Sequence, residues 1–333
     1  MRPIVITATL IMLGLVVNSG YTLPQEANSA GIPPLPLGLS SFGAAVLGEY
    51  IYVFGGHSGR AHHYYRGNVH GQLYRLNWRQ PKEWQPLQAD TPGQGLALVA
   101  ARGSLYRIGG MQPLNAENEP TRLQSLRTFA RYDVAANKWE RLPDLPEPRS
   151  SLDAAVLGDR IFVFGGWYLH DGEQTWHEHG LVFDLAHPEQ GWQRLPQPFR
   201  RRALAVVAYE EQIYVLGGLS DDGQVSLEVN VFDPKHHRWG KGPSLPDGRG
   251  NGFGCAACVA GGRLYISPAD GRIYQFRDER WHSVGQVIPA RAMHRMVAQP
   301  DGLLCLLGGS PRQDANKPTA EMLRLVQLWR PSP

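Results

Sequence analysis

The 333-residue sequence has little net charge, few cysteines and few charged side chains. Lysine and arginine total 33 against 30 aspartates and glutamates, which leaves a formal net charge of only +3 and indicates no nucleic-acid partner. Glycine-rich phosphate loops, His-Glu-x-x-His motifs and nucleophile elbows are all missing. These absences predict a protein without a cofactor or a bound metal ion.

The three cysteines are too few for a disulfide scaffold, and a chain of this length can bury a core without one. Cys255 and Cys258 have Cys-x-x-Cys spacing, but they lie in an apolar pattern typical of a strand. Residues three apart in a strand point to opposite faces, so the two thiols cannot share a metal ion. We expect inert buried thiols, and a disulfide between Cys305 and one of the others is left open.

The N-terminus differs from the rest of the chain. Arg2 is followed by an uncharged stretch with an apolar centre from Ile4 to Val17, and small residues come after it. This pattern is typical of a secretory signal peptide, and the polar residues 18–20 count against the alternative of a membrane anchor. We predict a signal peptide and short leader over residues 1–30 and one domain over residues 31–333. The mature protein is then secreted or periplasmic, without stable membrane insertion after cleavage.

Glycine and proline are abundant, at 38 and 26 residues, as expected for many short strands joined by tight turns. A unit recurs along the chain: a strand of small residues, a turn, and an apolar strand that ends in Gly-Gly. Clear copies are FGAAVLGEYIYVFGG, LALVAARGSLYRIGG, LDAAVLGDRIFVFGG and LAVVAYEEQIYVLGG, whose last glycines are 54, 56 and 52 residues apart. A fifth unit lacks the Gly-Gly pair, and a sixth regains it at Gly309.

The second half of each unit carries an aromatic residue, often with Asp, and a Trp about seven residues later, as from Tyr132 to Trp139 and from Phe232 to Trp239. Together with Gly-Gly, this pattern resembles the Kelch repeat over about residues 35–330. The resemblance implies an all-β, six-bladed Kelch-type β-propeller with four-stranded antiparallel blades. The last unit stops after its third strand, at Trp329. We therefore expect an N-terminal strand to complete the last blade and close the ring.

In such a propeller, the loops after each Gly-Gly and the connections between blades emerge on the same face. Variable loops on a rigid scaffold usually carry function, so the candidate binding residues come from these segments. They are the aromatic and histidine residues Tyr64, Tyr65, Trp167, Trp176, His179 and His294, and the arginines Arg149, Arg202, Arg249 and Arg291.

Three interpretations of these residues are open. They could be ordinary loop residues that pack on one another. They could bind an anionic or polyhydroxylated ligand, because aromatic rings stack on sugars and arginines grip carboxylates. A metal site at His177 and His179 with Glu178 is the third, but loop histidines can face in any direction, and no metal is included in the prediction.

The resemblance implies a binding module whose loop face engages a protein or a carbohydrate ligand. The alternative is a sugar-active enzyme similar to the exported N-acetylneuraminate epimerase propellers, which exchange sialic-acid anomers. The Gly-Glu and Arg-containing loop of those enzymes has no match in LSDDGQVSLEVNVFD, so no catalytic residue is assigned. A concave pocket with an acid or base beside the arginines would favour the enzyme, and a flatter face would favour the binding module.

Overall fold

The computed structural model describes residues 25–27, 29, 31–311 and 322–331, so most of the predicted signal peptide lies outside the described residues. This part of the chain consists of strands and turns with two short 3₁₀ helices, Arg66–Asn68 and Pro188–Gln190. Within it, no helix is both long enough and apolar enough to cross a bilayer. The predicted all-β fold is confirmed.

The described residues form six radial sheets, here called blades 1 to 6 in chain order. Their strands, from the innermost to the outermost, are Gly43–Leu47, Tyr50–Phe54, Leu73–Asn77 and Gln85–Pro86 in blade 1; Ala97–Ala101, Ser104–Ile108, Phe129–Asp133 and Lys138–Arg141 in blade 2; Asp153–Leu157, Arg160–Phe164, His179–Asp184 and Trp192–Pro196 in blade 3; Ala205–Tyr209, Gln212–Leu216, Val229–Asp233 and Arg238–Gly242 in blade 4; Ala256–Ala260, Arg263–Ser267, Arg272–Arg277 and Arg280–Gln286 in blade 5; and Arg295–Ala298, Leu304–Leu307 and Val326–Trp329 in blade 6.

The innermost strands are rich in Gly, Ala and Val because each one packs against the innermost strand of the next blade around the channel. The second strands are the most buried, and only the first residue of Tyr50–Phe54 and of Arg160–Phe164 is accessible. A strand covered on both faces reads as a continuous apolar run, which is why these segments stand out in the sequence.

A circle of backbone hydrogen bonds joins all six blades. Each blade contributes one residue from the segment before its first strand, and the φ angle of each of these residues is between 51° and 60°. Gly95 donates to Ser41 and Ser151 to Gly95, both at 2.7 Å; Ala203 donates to Ser151, Gly254 to Ala203 and Met293 to Gly254, all at 2.8 Å; and Ser41 donates to Met293 at 3.1 Å. The circle agrees with the predicted six-bladed closure.

The hydrophobic core is divided into six clusters, and each lies between two neighbouring blades. The recurring Trp fills these interfaces. Trp192 of blade 3 packs against Phe129 of blade 2 with ring centroids 4.8 Å apart, and its Nε1 donates to Pro143 O at 3.1 Å. Equivalent indole bonds reach back to Pro33, Gln88, Pro196 and Pro243. In blades 1 to 5 the Trp residue therefore binds the blade to the segment before it.

The N-terminal strand does not pair where the sequence predicted. Gln25–Glu26 runs parallel to the outer strand of blade 5, at Gly285 and Gln286, and gives that blade a fifth strand. In the described residues, blade 6 keeps three strands. The following segment does run beside blade 6, where Leu35 N donates to Arg324 O and Arg324 Nε donates to Leu35 O, both at 2.7 Å. The N-terminal segment thus contacts both blades, but its ladder forms at the edge of blade 5.

All three cysteines are free and buried, as expected for inert thiols. Cys255 and Cys258 belong to different core clusters, which confirms that they face opposite sides of their sheet. Burial raises the pKa of the Cys255 thiol to about 12. Such a thiol stays protonated and unreactive at neutral pH.

Candidate functional site

The connections between blades and the loops after Gly-Gly do meet on one face, here called the loop face. In three blades the connection pairs with the residue that follows Gly-Gly, through the bridges Ser40–His57, Gln94–Met111 and Ser150–Trp167. The bridges hold the start of each loop beside the channel. The candidate side chains therefore project from a fixed backbone.

The loop after blade 3's Gly-Gly, one of the variable loops, contains a β-hairpin of Trp167–His170 and Glu173–Trp176. It continues through the pair His170–Gln124 into the hairpin of Met111–Pro113 and Leu123–Ser125. The two loops thus form a four-stranded sheet beside the mouth of the channel. Its strands are only three or four residues long, so their sequence resembles that of a loop.

A cavity of about 440 Å³ occupies the mouth of the channel on the loop face. It lies above the hydrogen-bonded circle, and three circle residues, Ser41, Ser151 and Met293, line it. Its other lining residues come from loops and connections around the ring, and include Tyr64, Trp167, Arg202, Arg249 and Phe253. The structure therefore brings four of the ten candidate residues to one concave site.

Arg202 is the most constrained cation of this cavity. Its guanidinium carbon lies 4.0 Å from the ring centroid of Trp167, 5.3 Å from that of Trp176 and 5.8 Å from that of Phe253. No carboxylate of the described residues forms an ion pair with it, and burial lowers its pKa. Trp176, another candidate, does not line the cavity but supports Trp167, with ring centroids 5.3 Å apart.

Tyr64 contributes a phenol to the cavity wall. Burial raises its pKa, so the ring is neutral at physiological pH. Its centroid is 4.8 Å from that of His57, whose Nε2 lies 3.1 Å from His63 O. Burial lowers the pKa of His57 to about 4, so this histidine is neutral as well. Tyr65 lies outside the cavity and packs on His63 at 5.3 Å between centroids.

The cavity has a positive and aromatic character. Arg249 is exposed on its lining, and no Asp or Glu is found among the lining residues that the structure describes. A second, much smaller cavity of about 30 Å³ lies within the channel and is lined by His294 and Arg295. The loop-face cavity is therefore a concave, cationic site with aromatic walls and a closed floor.

Two predicted arginines are not on the cavity lining. Arg149 is fully buried and its Nη1 donates to Gly165 O at 3.1 Å and to His179 O at 3.0 Å within blade 3. Burial lowers its pKa to about 9. Arg291 is also buried, and burial lowers its pKa to about 10. Both side chains turn into their own blades, because they occupy the second residue before the circle, which faces away from the channel mouth.

The buried His294 occupies the small inner cavity rather than the loop face. Burial and the neighbouring charges of Arg291 and Arg295 hold its pKa well below the usual value. We therefore assign it to the interior of the ring, and the sequence contained no signal that would separate it from the cavity-lining residues Ala292 and Met293, two and one positions earlier.

His179, the last candidate, takes part in a separate cluster. Its Nε2 and the Nδ1 of His177 face the carboxylate of Glu147, from the connection between blades 2 and 3. Glu178, the acidic residue considered with these histidines in the sequence analysis, pairs instead with Arg200. Glu147 lies 30 and 32 positions before the two histidines, so sequence spacing could not reveal this grouping.

Comparison with known proteins places these features in context. The domain family described as "KLHDC2/KLHL20/DRC7 Kelch-repeats domain" matches residues 41–269. Kelch-like protein 35 of Mus musculus is 28% identical over 251 residues, which are 73% of this chain and 37% of that protein. Beta-scruin of Limulus polyphemus is 28% identical over 218 residues, or 64% of this chain and 22% of that protein. The chain thus corresponds to well under half the length of these relatives.

A solved structure, titled "Structure of YjhT", superimposes with a TM-score of 0.69 at 16% sequence identity. The match covers 90% of this chain and 97% of that one. At this identity the similarity concerns the fold alone. It extends the likeness to nearly the full length of both chains, beyond the part matched by the domain family.

Proposed function

The chain belongs to the Kelch-repeat family, and on that premise we propose that it is a binding module whose loop-face cavity holds an acidic group of a protein partner. Arg202 carries this proposal, because it stacks among aromatic rings at the cavity wall and has no carboxylate partner among the described residues. A partly desolvated guanidinium binds a carboxylate through two parallel hydrogen bonds, more strongly than an exposed one.

The surroundings of Arg202 support the same function. Arg249 offers a second positive charge on the lining, and Trp167 and Phe253 offer apolar contact. Arg and Trp are the residues most often found at energetically dominant positions of protein interfaces. An acidic residue flanked by an apolar one would match both features of the cavity.

An acidic sugar is the second candidate ligand. The volume of about 440 Å³ falls in the range of small-molecule pockets, and Ser40, Ser41 and Ser151 supply hydroxyl groups to its lining. Sugar chemistry would also need an acid or base. Among the described lining residues His57, His62 and the phenol of Tyr64 could serve, but the His57 ring is held by His63 O, and burial raises the pKa of Tyr64 and so makes it a weaker acid. We therefore rank ligand binding ahead of anomer exchange.

The proposal is tested by calorimetric titration of the purified protein with a set of acidic peptides, one at a time. Separate titrations use N-acetylneuraminate and glucuronate. We expect the peptides that bind to lose about 10-fold or more of their affinity in Arg202→Met, because a hydrogen bond to a charged group contributes about 1.5–3 kcal/mol. A preference for the sugars in the same titration would favour the second candidate.

Arg280→Met is the matched control. Arg280 is exposed at the start of the outer strand of blade 5, at the opposite end of the blade from the loop face. The Arg280→Met substitution removes one positive charge without changing a residue of the cavity lining. Equal affinities of wild type, Arg202→Met and Arg280→Met would contradict the proposed site, as would binding of neutral and acidic peptides alike.

Export of the protein to the periplasm or the medium is part of the same proposal. It is supported by the apolar segment from Ile4 to Val17 behind Arg2. Mass spectrometry of the protein recovered outside the cytoplasm should give a chain that lacks up to about 30 N-terminal residues. An intact N-terminus on protein retained in the cytoplasm would contradict it.

A further inference from the structure

Apart from the loop-face cavity, one cluster of side chains has the composition of a metal site. One ligand atom each of Glu147, His177 and His179 lies within 4.8 Å of the others. Glu147 Oε2 is 3.4 Å from His177 Nδ1 and 3.3 Å from His179 Nε2. None of the three residues lines the loop-face cavity.

The hydrogen bonding of His177 shows that its Nδ1, which faces Glu147, carries no proton. Its Nε2 lies 3.1 Å from Pro148 O, and a carbonyl oxygen can only accept, so Nε2 carries the proton of the neutral ring. Nδ1 then presents a lone pair to the carboxylate oxygen of Glu147, and two acceptors at this distance repel. The Nε2 of His179 is buried and has no hydrogen-bond partner among the described residues. A cation bound between Glu147 Oε2, His177 Nδ1 and His179 Nε2 would give each of these atoms a partner.

The separations fit a first-row transition metal. Ligand bonds of about 2.0–2.1 Å in tetrahedral geometry place neighbouring ligand atoms about 3.3–3.4 Å apart. Two such edges are present, from Glu147 to each histidine. We propose that Glu147, His177 and His179 bind a divalent first-row transition-metal ion of the zinc type, with one coordination position left for water or for a donor of a partner.

The neighbouring groups orient these ligands. Pro148 O fixes the ring of His177, and Arg194 Nη2 donates to Oε1 of Glu147, which leaves Oε2 for the histidines. Metal-binding histidines and carboxylates usually have such hydrogen bonds to their distal atoms. The side chain of Glu147 is 36% exposed while that of His177 is 7% exposed, so an ion would reach the buried histidine from the side of Glu147.

Two guanidinium groups oppose the charge of the ion. Arg194 is largely exposed, so solvent screens its charge. Arg149 is buried, and its Nη1 donates to His179 O at 3.0 Å. We therefore expect an exchangeable ion that a chelator removes, rather than one held as in an all-cysteine site.

The test is a titration of the full chain, prepared without a histidine tag and freed of metal with EDTA. Co²⁺ is added while visible absorption of tetrahedral Co²⁺ is recorded, and Zn²⁺ is then used to displace it. We expect one ion per chain. Glu147→Gln and His179→Gln should each weaken binding by at least about 10–100-fold, the range found for loss of groups that only support the ligands.

His236→Gln is the matched control, because His236 Nδ1 also faces a carboxylate, that of Asp233 at 2.7 Å on an exposed turn, but no third ligand atom is grouped with them, and the ring of the adjacent His237 lies near Phe232. Its affinity should equal that of the wild type. Absence of Co²⁺ absorption and of Zn²⁺ binding in the wild type would overturn the proposal. Unchanged affinity in both Glu147→Gln and His179→Gln would overturn it as well, and circular dichroism establishes that each variant is folded.

Discussion

Arg295 of blade 6 donates from Nη1 to Asp153 Oδ1 of blade 3 at 3.0 Å, and so connects blades on opposite sides of the channel. The same guanidinium donates to Phe42 O at 2.8 Å and to Leu96 O at 3.1 Å, at the starts of blades 1 and 2. Asp153 Oδ2 in turn accepts from Val206 N of blade 4 at 3.0 Å. One ion pair therefore links five blades below the loop-face cavity.

Arg295→Met should lower the free energy of unfolding by about 3 kcal/mol, because it leaves the mostly buried Asp153 without its cation. Urea denaturation at pH 7.5 measures the change. Arg330→Met is the control, since Arg330 pairs with Asp301 at 2.9 Å on the exposed surface and should cost less than about 1 kcal/mol. Similar losses in the two variants would show that the channel pair has no special structural role.

Trp239→Ala should destabilise the fold by about 3 kcal/mol, because the indole packs on Phe164 of the preceding blade with centroids 5.0 Å apart. Trp239→Phe keeps most of that contact and removes only the bond from Nε1 to Pro196 O, so about 1 kcal/mol should be lost. The melting temperatures of Trp239→Ala and Trp239→Phe measure the two losses of stability. A wild-type melting temperature for Trp239→Ala would contradict the interblade role of this residue.

Gly165→Ala should be far more harmful than Gly48→Ala, although both glycines have positive φ angles of 69° and 58°. A Cβ at Gly165 would lie 2.5 Å from Leu204 Cδ2 and 2.7 Å from Arg201 O of the next blade, whereas nothing lies within 4 Å of one at Gly48. Gly48→Ala should lower the free energy of unfolding only by the cost of a left-handed backbone conformation for alanine, about 1–2 kcal/mol. Equal urea midpoints for Gly165→Ala and Gly48→Ala would contradict this prediction. They would mean that neighbouring blades can move apart to accommodate an added methyl group.

Stability should fall on mild acidification. Burial lowers the pKa of His57 to about 4 and holds that of His294 well below its usual value, so both are neutral in the folded state. Because the unfolded chain binds these protons near pH 6.5, the stabilisation is complete above that pH and is lost towards pH 4 for His57. Urea denaturation from pH 7.5 to 5 should show this decline.

His57→Asn isolates one of these contributions. Below pH 6.5 its slope of stability against pH should be smaller than that of the wild type by about 1.4 kcal/mol per pH unit, one proton's worth. Parallel pH profiles for wild type and His57→Asn would contradict the buried neutral state of His57.

The sequence predicted the repeat, the blade strands and the side of the ring that carries the loops. Those features depend on local patterns: buried second strands such as Tyr50–Phe54 are continuous apolar runs, and the Gly-Gly pairs mark positive φ angles. The pairing of Gln25–Glu26 was not predictable in this way, because the choice between the edges of blades 5 and 6 depends on the path of the chain between them.

The residues of the loop face show the same distinction. Residue type and loop position were enough to select Tyr64, Trp167, Arg202 and Arg249, since loops after Gly-Gly and connections must meet at the channel mouth. Only the tertiary structure determined which arginines turn inward, as Arg149 does, because that depends on the direction of each side chain relative to its blade. The approach of Glu147 to two distant histidines likewise follows from packing between blades, which no local pattern in the sequence encodes.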